Sequence, residues 1–286
     1  MTPATILPAE ACDPAALQSL AELLRGRRVA VLTGAGCSTE SGIPDYRGPA
    51  SRGRLRTPIQ DRDFLRKPEV RQRYWARSLL GWPRFCAAEP NAAHAALAQL
   101  EARGHVSGVI TQNVDRLHQR AGSRQVIELH GALAEVLCLG CGALTPRDRM
   151  QQRLQALNPD FAQQLVEVRP DGDAELHEEA VASFRVPTCD VCGEGLLKPH
   201  VVFFGGFVPP PTVEAAYALV ERSEALLVVG TSLAVYSGLR FVRRARERGL
   251  NVAVLNLGET RADALAHLRV EARLGEALPR LAEALG

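Results

Sequence analysis

Four of the seven cysteines in this chain fall into two Cys-x-x-Cys pairs, Cys138/Cys141 and Cys189/Cys192. A two-residue spacing lets both sulfurs of a turn face one ion. Four thiolates then call for tetrahedral Zn²⁺ at about 2.3 Å from each sulfur. Redox-active dithiols and plainly buried cysteines are the competing readings. Four protein ligands leave no position open to water, so one such zinc ion is expected to be structural. Gly140, Gly142 and Gly193 suit the tight backbone of the two knuckles. The long separation of the pairs costs little, because loop-closure entropy grows only logarithmically with length.

A second constellation lies near the N-terminus. The apolar run Val29–Thr33 leads into Gly34-Ala35-Gly36. This strand-to-glycine order is that of a dinucleotide-binding turn, whose bare backbone can approach a pyrophosphate. Thr39 stands where the third glycine of the generic motif belongs, so the motif alone is ambiguous. A third candidate is His130, which ends the apolar run Gln125–Leu129 and precedes Gly131. Open α/β sheets place ligands at the carboxyl ends of their strands, and an imidazole titrating near neutrality suits a general base there. His94 and His118 sit in helical stretches among small apolar residues and read as structural.

These groups need a scaffold. Leu17, Leu20, Leu23 and Leu24 share one face of a predicted helix over 14–26, and Gly26 stops it. Further helices are predicted over Glu69–Leu80, Ala92–Arg103 and Ser237–Arg248. Strands are predicted over Arg28–Thr33, Val106–Thr111, Gln125–Leu129, Leu196–Phe204, Ala225–Val229 and Asn251–Leu255. The alternation implies an α/β fold: a Rossmann-like, doubly wound parallel sheet with a smaller zinc-binding and helical lobe. The expected division is a discontinuous dinucleotide-binding domain over 14–42, 84–132 and 200–286. Residues 43–83 form a cofactor loop and helices of the small lobe, and 133–199 a zinc module carrying the polar insertion Pro146–Pro187.

Gly34-Ala-Gly-Cys-Ser-Thr-Glu-Ser-Gly-Ile-Pro-Asp-Tyr-Arg47 resembles the signature of the sirtuin (Sir2) family. Thr111-Gln-Asn-Val-Asp115, Glu128-Leu-His-Gly131, Lys198-Pro-His-Val-Val-Phe-Phe-Gly-Gly206, Gly230-Thr-Ser232 and Asn256 follow in the family's order. The resemblance covers roughly residues 20 to 280. It implies an NAD-dependent protein-lysine deacylase. The acyl oxygen of a modified lysine attacks the anomeric carbon of the nicotinamide ribose and nicotinamide leaves. A base then activates a ribose hydroxyl, and lysine and O-acyl-ADP-ribose result.

Residue by residue, the resemblance makes His130 the base, with Asn113 and Asp115 orienting the carboxamide and ribose. The NAD-binding set is Gly34, Ala35, Gly36, Ser38, Asp45, Tyr46, Arg47, Gln112, Asn113, Asp115, Gly230, Thr231, Ser232, Asn256, Leu257 and Gly258. Val201, Val202, Phe203, Phe204 and the segment Leu233–Tyr236, including Tyr236, correspond to strands that clamp the substrate peptide by strand addition. Two positions depart from the family: His200 stands in place of Asp, and Gly206 in place of an acidic residue.

Tyr74 and Arg77, three apart on a predicted helix, share a face. They resemble the pair with which some sirtuins grip a carboxylate at the end of an acyl chain, and the flanking residues look most like the class II sirtuins. The implied preference is for larger or carboxylated acyl groups, such as 3-hydroxy-3-methylglutaryl-like chains, or for lipoyl, over acetyl. Rival readings are protein mono-ADP-ribosylation and a non-enzymatic NAD or ADP-ribose sensor.

The remaining composition narrows the class. Net charge is only +2, which supplies no electrostatic footprint for nucleic acid despite the basic run Arg52–Arg56. Residues 1–13 read as neither a secretory signal nor a transit peptide, and no apolar run approaches a membrane span. A soluble, cytoplasmic enzyme acting on acylated-lysine proteins is therefore expected, with no nucleic-acid or membrane partner.

Overall fold

A computed structural model describes residues 12–45, 58–161 and 178–286. Its larger sheet contains β1 (Val29–Thr33), β2 (Val106–Thr111), β3 (Val126–Glu128), β7 (Ala225–Val229), β8 (Asn251–Leu255) and β9 (Leu268–Val270). They lie in the order β3-β2-β1-β7-β8-β9, and every pairing is parallel. β1 and β7 are buried along their whole length, as the unbroken apolar runs require of strands covered on both faces. Helices α1 (Pro14–Leu24), α4 (Ala92–Ala102) and α10 (Leu274–Leu285) cover one face. On the other lie α8 (Pro210–Glu221) and α9 (Tyr236–Glu247). The short α5 (Leu117–Arg120) follows β2.

Strand order reverses between β1 and β7. The chain leaves β1 toward β2 and β3, and enters the other half through β7, so the loops after β1 and β7 open side by side. This is the switch point at which open α/β sheets hold ligands.

The smaller sheet is antiparallel, with β4 (Gly131–Cys138) between β5 (Leu144–Pro146) and β6 (Leu197–Val201). The strand expected over 196–204 is therefore shorter and outside the parallel sheet. Past Val201 the chain turns away: Val202 N–H donates to the His130 carbonyl at 2.9 Å, and Phe204 forms a bridge with Gln60. Neither 202–203 nor 233–235 is a strand, and Tyr236 opens α9. Leu233 has a left-handed φ of 51°, which interrupts an extended run, and Val202 makes a single backbone bond rather than a ladder.

Helices α2 (Asp61–Arg66), α3 (Pro68–Cys86), α6 (Arg147–Leu157) and α7 (Glu178–Ser183) complete this lobe. The helix expected to end at Leu80 runs on to Cys86, through Pro83. A proline lacks the N–H that would serve the carbonyl four residues back. Here Gln151 of α6 donates to that Leu79 carbonyl at 2.8 Å. The expected polar insertion also contributes to the lobe's core. Met150, Leu154, Phe161 and Phe184 pack with Trp75, Val136, Cys138 and Cys189. Among the described residues no helix is long and apolar enough to cross a membrane.

Candidate functional site

The loop after β1 is pressed against the loop after β7. Gly36 N–H donates to the Gly230 carbonyl at 2.8 Å. A Cβ at Gly34 would come within 2.5 Å of Thr231 Cβ, and one at Gly36 within 2.8 Å of the Gly230 oxygen. Both glycines are thus demanded by the packing of one ligand loop on the other, before any ligand is considered. Ala35 opens the short turn between them.

From this turn Ser38, 1% exposed, donates to Asp115 Oδ2 at 2.7 Å. Asn113 Nδ2 donates to Ser38 Oγ at 3.0 Å and to the Gly34 carbonyl at 3.1 Å. Asp115 Oδ1 accepts from Leu117 N–H, which anchors the loop on α5. Gln112 Nε2 donates to Thr231 Oγ1 at 3.0 Å and to the Thr33 carbonyl at 3.2 Å. The ends of β1, β2 and β7 are thereby tied into one polar floor. Asn256, at the end of β8, donates to the carbonyls of Leu257 and Gly258, while Ser232 accepts Arg261 N–H through its carbonyl. Asp45 is the last described residue of the cofactor loop; Tyr46, Arg47 and the Arg52–Arg56 run lie outside the described residues.

His130 stands at the carboxyl side of β3, beside this floor. Its Nδ1 is 3.0 Å from the Gln112 carbonyl oxygen and its Nε2 2.9 Å from Ser237 Oγ. A carbonyl only accepts, so Nδ1 carries the proton and Nε2 presents its lone pair. Burial holds the imidazole below its ordinary pKa, opposed by the bond to Gln112. The ring is therefore a neutral base at pH 7.

His94 and His118 are structural, for a reason that can be read atom by atom. Both are at most 1% exposed, with their rings edge to face at 4.8 Å. His118 Nε2 lies 2.9 Å from Thr33 Oγ1, which donates to Thr111 Oγ1, which accepts Asn113 N–H. The histidine pair thus props the floor from beneath. Cys37, His94 and His118 bring one potential metal-ligand atom each within 4.8 Å of one another. However, His94 Nδ1 accepts Asn91 N–H at 3.3 Å, which puts that ring's proton on Nε2, the nitrogen left to face an ion.

Burial lowers the pKa of His94 to about 4 and of His118 to about 3. Both lie below the ordinary value of 6.5, so the stability they contribute is fully present above pH 6.5, declines steadily as pH falls below it, and is fully lost once pH has passed through 4 and 3. Urea unfolding at pH 7 and pH 5 should differ by up to about 4 kcal/mol from this pair. In His118→Asn that pH dependence should be visibly shallower, and an unchanged slope would refute the assignment.

The four-cysteine cluster has the spacing of a thiolate tetrahedron. Cys138 and Cys192 sulfurs are 3.7 Å apart and those of Cys141 and Cys189 3.8 Å, with all four within 4.8 Å of one another. Zinc at about 2.3 Å from each sulfur requires edges of about 3.8 Å, whereas a disulfide would need about 2.0 Å. A Cβ at Gly195 would stand 2.2 Å from Cys138 Sγ, so this glycine, two residues beyond Gly193, is what lets the knuckles close. Only the folded contact identifies it.

Tyr74 and Arg77 lie on α3, both half-buried. The Tyr74 ring meets Phe64 at 5.5 Å and Phe203 at 5.4 Å, and Lys198 Nζ sits 4.8 Å from the Phe203 ring centre. The Tyr74 ring thus adjoins Phe203, in the expected peptide segment that also holds Val201, Val202 and Phe204. Across the cleft, Tyr236 is 53% exposed beneath Arg240 and Arg243. His200 Nδ1 meets Glu135 Oε2 at 2.9 Å, and Arg116 joins Glu135 to Glu128. The histidine found in place of the family's aspartate is therefore matched by a carboxylate on β4.

The model of the Sir2 family matches residues 34–237. The NAD-dependent protein deacetylase 1 of Streptomyces coelicolor is 51% identical over 285 residues, 100% of this chain and 94% of the relative. The NAD-dependent protein lipoamidase sirtuin-4, mitochondrial, of Homo sapiens is 50% identical over 271 residues, 93% of this chain and 86% of the relative. A solved Sir2–p53 peptide–NAD+ complex is 33% identical with a TM-score of 0.74, covering 93% of this chain and 97% of that one. The ordered motifs, the switch-point site and these likenesses converge: the chain belongs to the Sir2 family and is an NAD-dependent protein deacylase, with a four-cysteine cluster that fits structural zinc.

Proposed function

We propose that this enzyme removes larger or carboxylated acyl groups, or lipoyl, from protein lysines in preference to acetyl, with His130 as its base. The observation that carries the catalytic assignment is the tautomer of His130: its Nδ1–H is spent on the Gln112 carbonyl, which leaves Nε2, facing the Ser237 hydroxyl, as the basic nitrogen. When bound, NAD supplies the ribose that accepts the acyl group and the nicotinamide that departs. Asn113, whose NH₂ is held by Gly34 and Ser38, keeps its side-chain oxygen to accept from an amide, and Asp115 accepts from that amide's NH₂ or from ribose. Gly34, Gly36, Gly230, Thr231 and Ser232 present close-packed backbone and hydroxyls to the phosphates, with Asn256, Leu257 and Gly258 at the adenosine end. The cleft between 201–204 and 233–236 receives the peptide by backbone pairing, which leaves discrimination to the acyl pocket.

That pocket is aromatic, with Phe64, Tyr74 and Phe203 in mutual contact. Its apolar walls favour long acyl chains, and Arg77, one turn along α3 from Tyr74, supports a carboxylate at the chain's end. Arg77→Ala should lower kcat/KM for carboxylated acyl-lysine peptides about 10- to 100-fold, the range of one charged hydrogen-bond partner, with acetyl-lysine changed less than about threefold. Equal losses on both would remove Arg77 from the acyl site. The full test is incubation with NAD and a panel of acyl-lysine peptides, quantifying nicotinamide and each deacylated product. Nicotinamide release that needs no acyl peptide would instead favour ADP-ribosylation of protein.

A further inference from the structure

The partner of His130 Nε2 in the resting site is Ser237, the second residue of α9. The helix comes unusually near the base here. Gly238 stands so close to Gln112 that a Cβ would lie 2.8 Å from Gln112 Oε1 and 3.0 Å from Leu233 Cδ2. The same Gln112 accepts the Nδ1 proton of His130 through its carbonyl. One residue thus receives the base on one side and the bare backbone of α9 on the other, and that approach delivers the Ser237 hydroxyl to the opposite nitrogen. Both groups meeting the ring, Gln112 from the segment after β2 and Ser237 from α9, are uncharged. Val202 N–H donates to the His130 carbonyl.

We infer that Ser237 is a positioning residue for the base: it donates to Nε2 of neutral His130 and, once the ring has taken a proton, turns to accept from it. A hydroxyl is the one small uncharged group that can do both. With Nδ1 fixed on a carbonyl, the ring is then held in one plane before and after proton transfer, and no buried nitrogen is left unsatisfied in either state. The Ser237 O–H first rotates off the one Nε2 lone pair; the proton of the ribose hydroxyl then passes to Nε2, the Ser237 proton stays on its own oxygen, and that oxygen's lone pair accepts from the new N–H. A bond to the imidazolium is charge-assisted and stronger than one to the neutral ring, so the serine makes His130 a stronger base than its burial alone would allow.

This rests on His130 being the base, and the decisive measurement is made on the zinc-loaded full chain without NAD. Nitrogen-15 NMR of the imidazole should show the Nδ1–H tautomer, and Ser237→Ala should lower the His130 pKa by about half to one unit. Ser237→Thr, which keeps the hydroxyl, should restore it. With NAD and acyl peptide, Ser237→Ala should slow deacylation about 3- to 10-fold, the half to one unit of lost basicity read as a rate, while nicotinamide exchange, which precedes the base, continues. An unshifted His130 pKa in Ser237→Ala overturns the inference whatever the turnover. If His130→Ala instead retains deacylation, the assignment of the base fails, and the NMR result still reports on the hydrogen bond by itself.

Discussion

His130→Ala is expected to abolish deacylation, lowering kcat by about 10³-fold or more while nicotinamide–NAD exchange in the presence of acyl peptide survives. A positioned general base contributes about 10²–10⁴-fold, and here its orientation is fixed on both nitrogens. The split between the two activities follows from the order of the reaction. On the proposed mechanism, release of nicotinamide requires only the acyl oxygen and the groups proposed to orient the cofactor, Asn113 and Asp115, which the substitution leaves in place. The ribose hydroxyl needs the imidazole. The wild-type pH profile should carry an acid limb set by His130, whose pKa lies below the ordinary histidine value because the ring is buried. Activity is therefore retained at pH 7 and lost as acidification protonates Nε2. Product quantification by mass spectrometry for both reactions is the check. If exchange and deacylation fall together, His130 holds the cofactor rather than serving as base; if deacylation persists, the proposed chemistry is wrong.

Loss of zinc should have an effect as large, by a different route. Cys138 and Cys189 belong to the same apolar cluster as Trp75, Val136 and Leu197, and β4 runs from the residue after His130 directly to Cys138. Removing one ligand, as in Cys189→Ser, leaves three thiolates and an opened knuckle. Structural zinc is worth on the order of 10 kcal/mol to small domains, enough to unfold this lobe. Both tryptophans of the chain, Trp75 and Trp82, lie on α3 within it, so selectively excited tryptophan fluorescence reports on this lobe alone. Chelation or Cys189→Ser should shift Trp emission to the red, release one zinc per chain and reduce deacylation at least about 100-fold, because β4 begins at the residue after His130 and is paired there with β6. The parallel sheet, whose core is separate, should keep its far-UV signal. Full activity in a zinc-free protein would show that the four cysteines do not hold the cleft.

Much of this site could be read from residue order. The cysteine spacing specified a tetrahedral thiolate site, and the blocks from Gly34 to Asn256 specified the family, because these are local signals: a turn's chemistry is set by the few residues that make it. Helices α6, α8 and α10 were harder to read. Arg147, in the polar run of α6, is 1% exposed because its guanidinium donates to Ser78 and lies over Trp75 and Trp82, partners far away in sequence. Pro83 marks a helix end by local rules and is overridden by one side chain of α6.

What sequence alone determined here is the chemistry available: the thiolates, the imidazole, the glycine turn and the amide-and-carboxylate pair. Tertiary structure decided how that chemistry is armed. The tautomer of His130 depends on a carbonyl 18 residues away and a hydroxyl 107 residues away. The closing of the zinc knuckles depends on the bare backbone of Gly195 against Cys138, and the need for Gly34 and Gly36 on a loop entering from β7. Hydrogen-bond polarity and close approach are properties of pairs, and the pairs exist only once the strands have found their order.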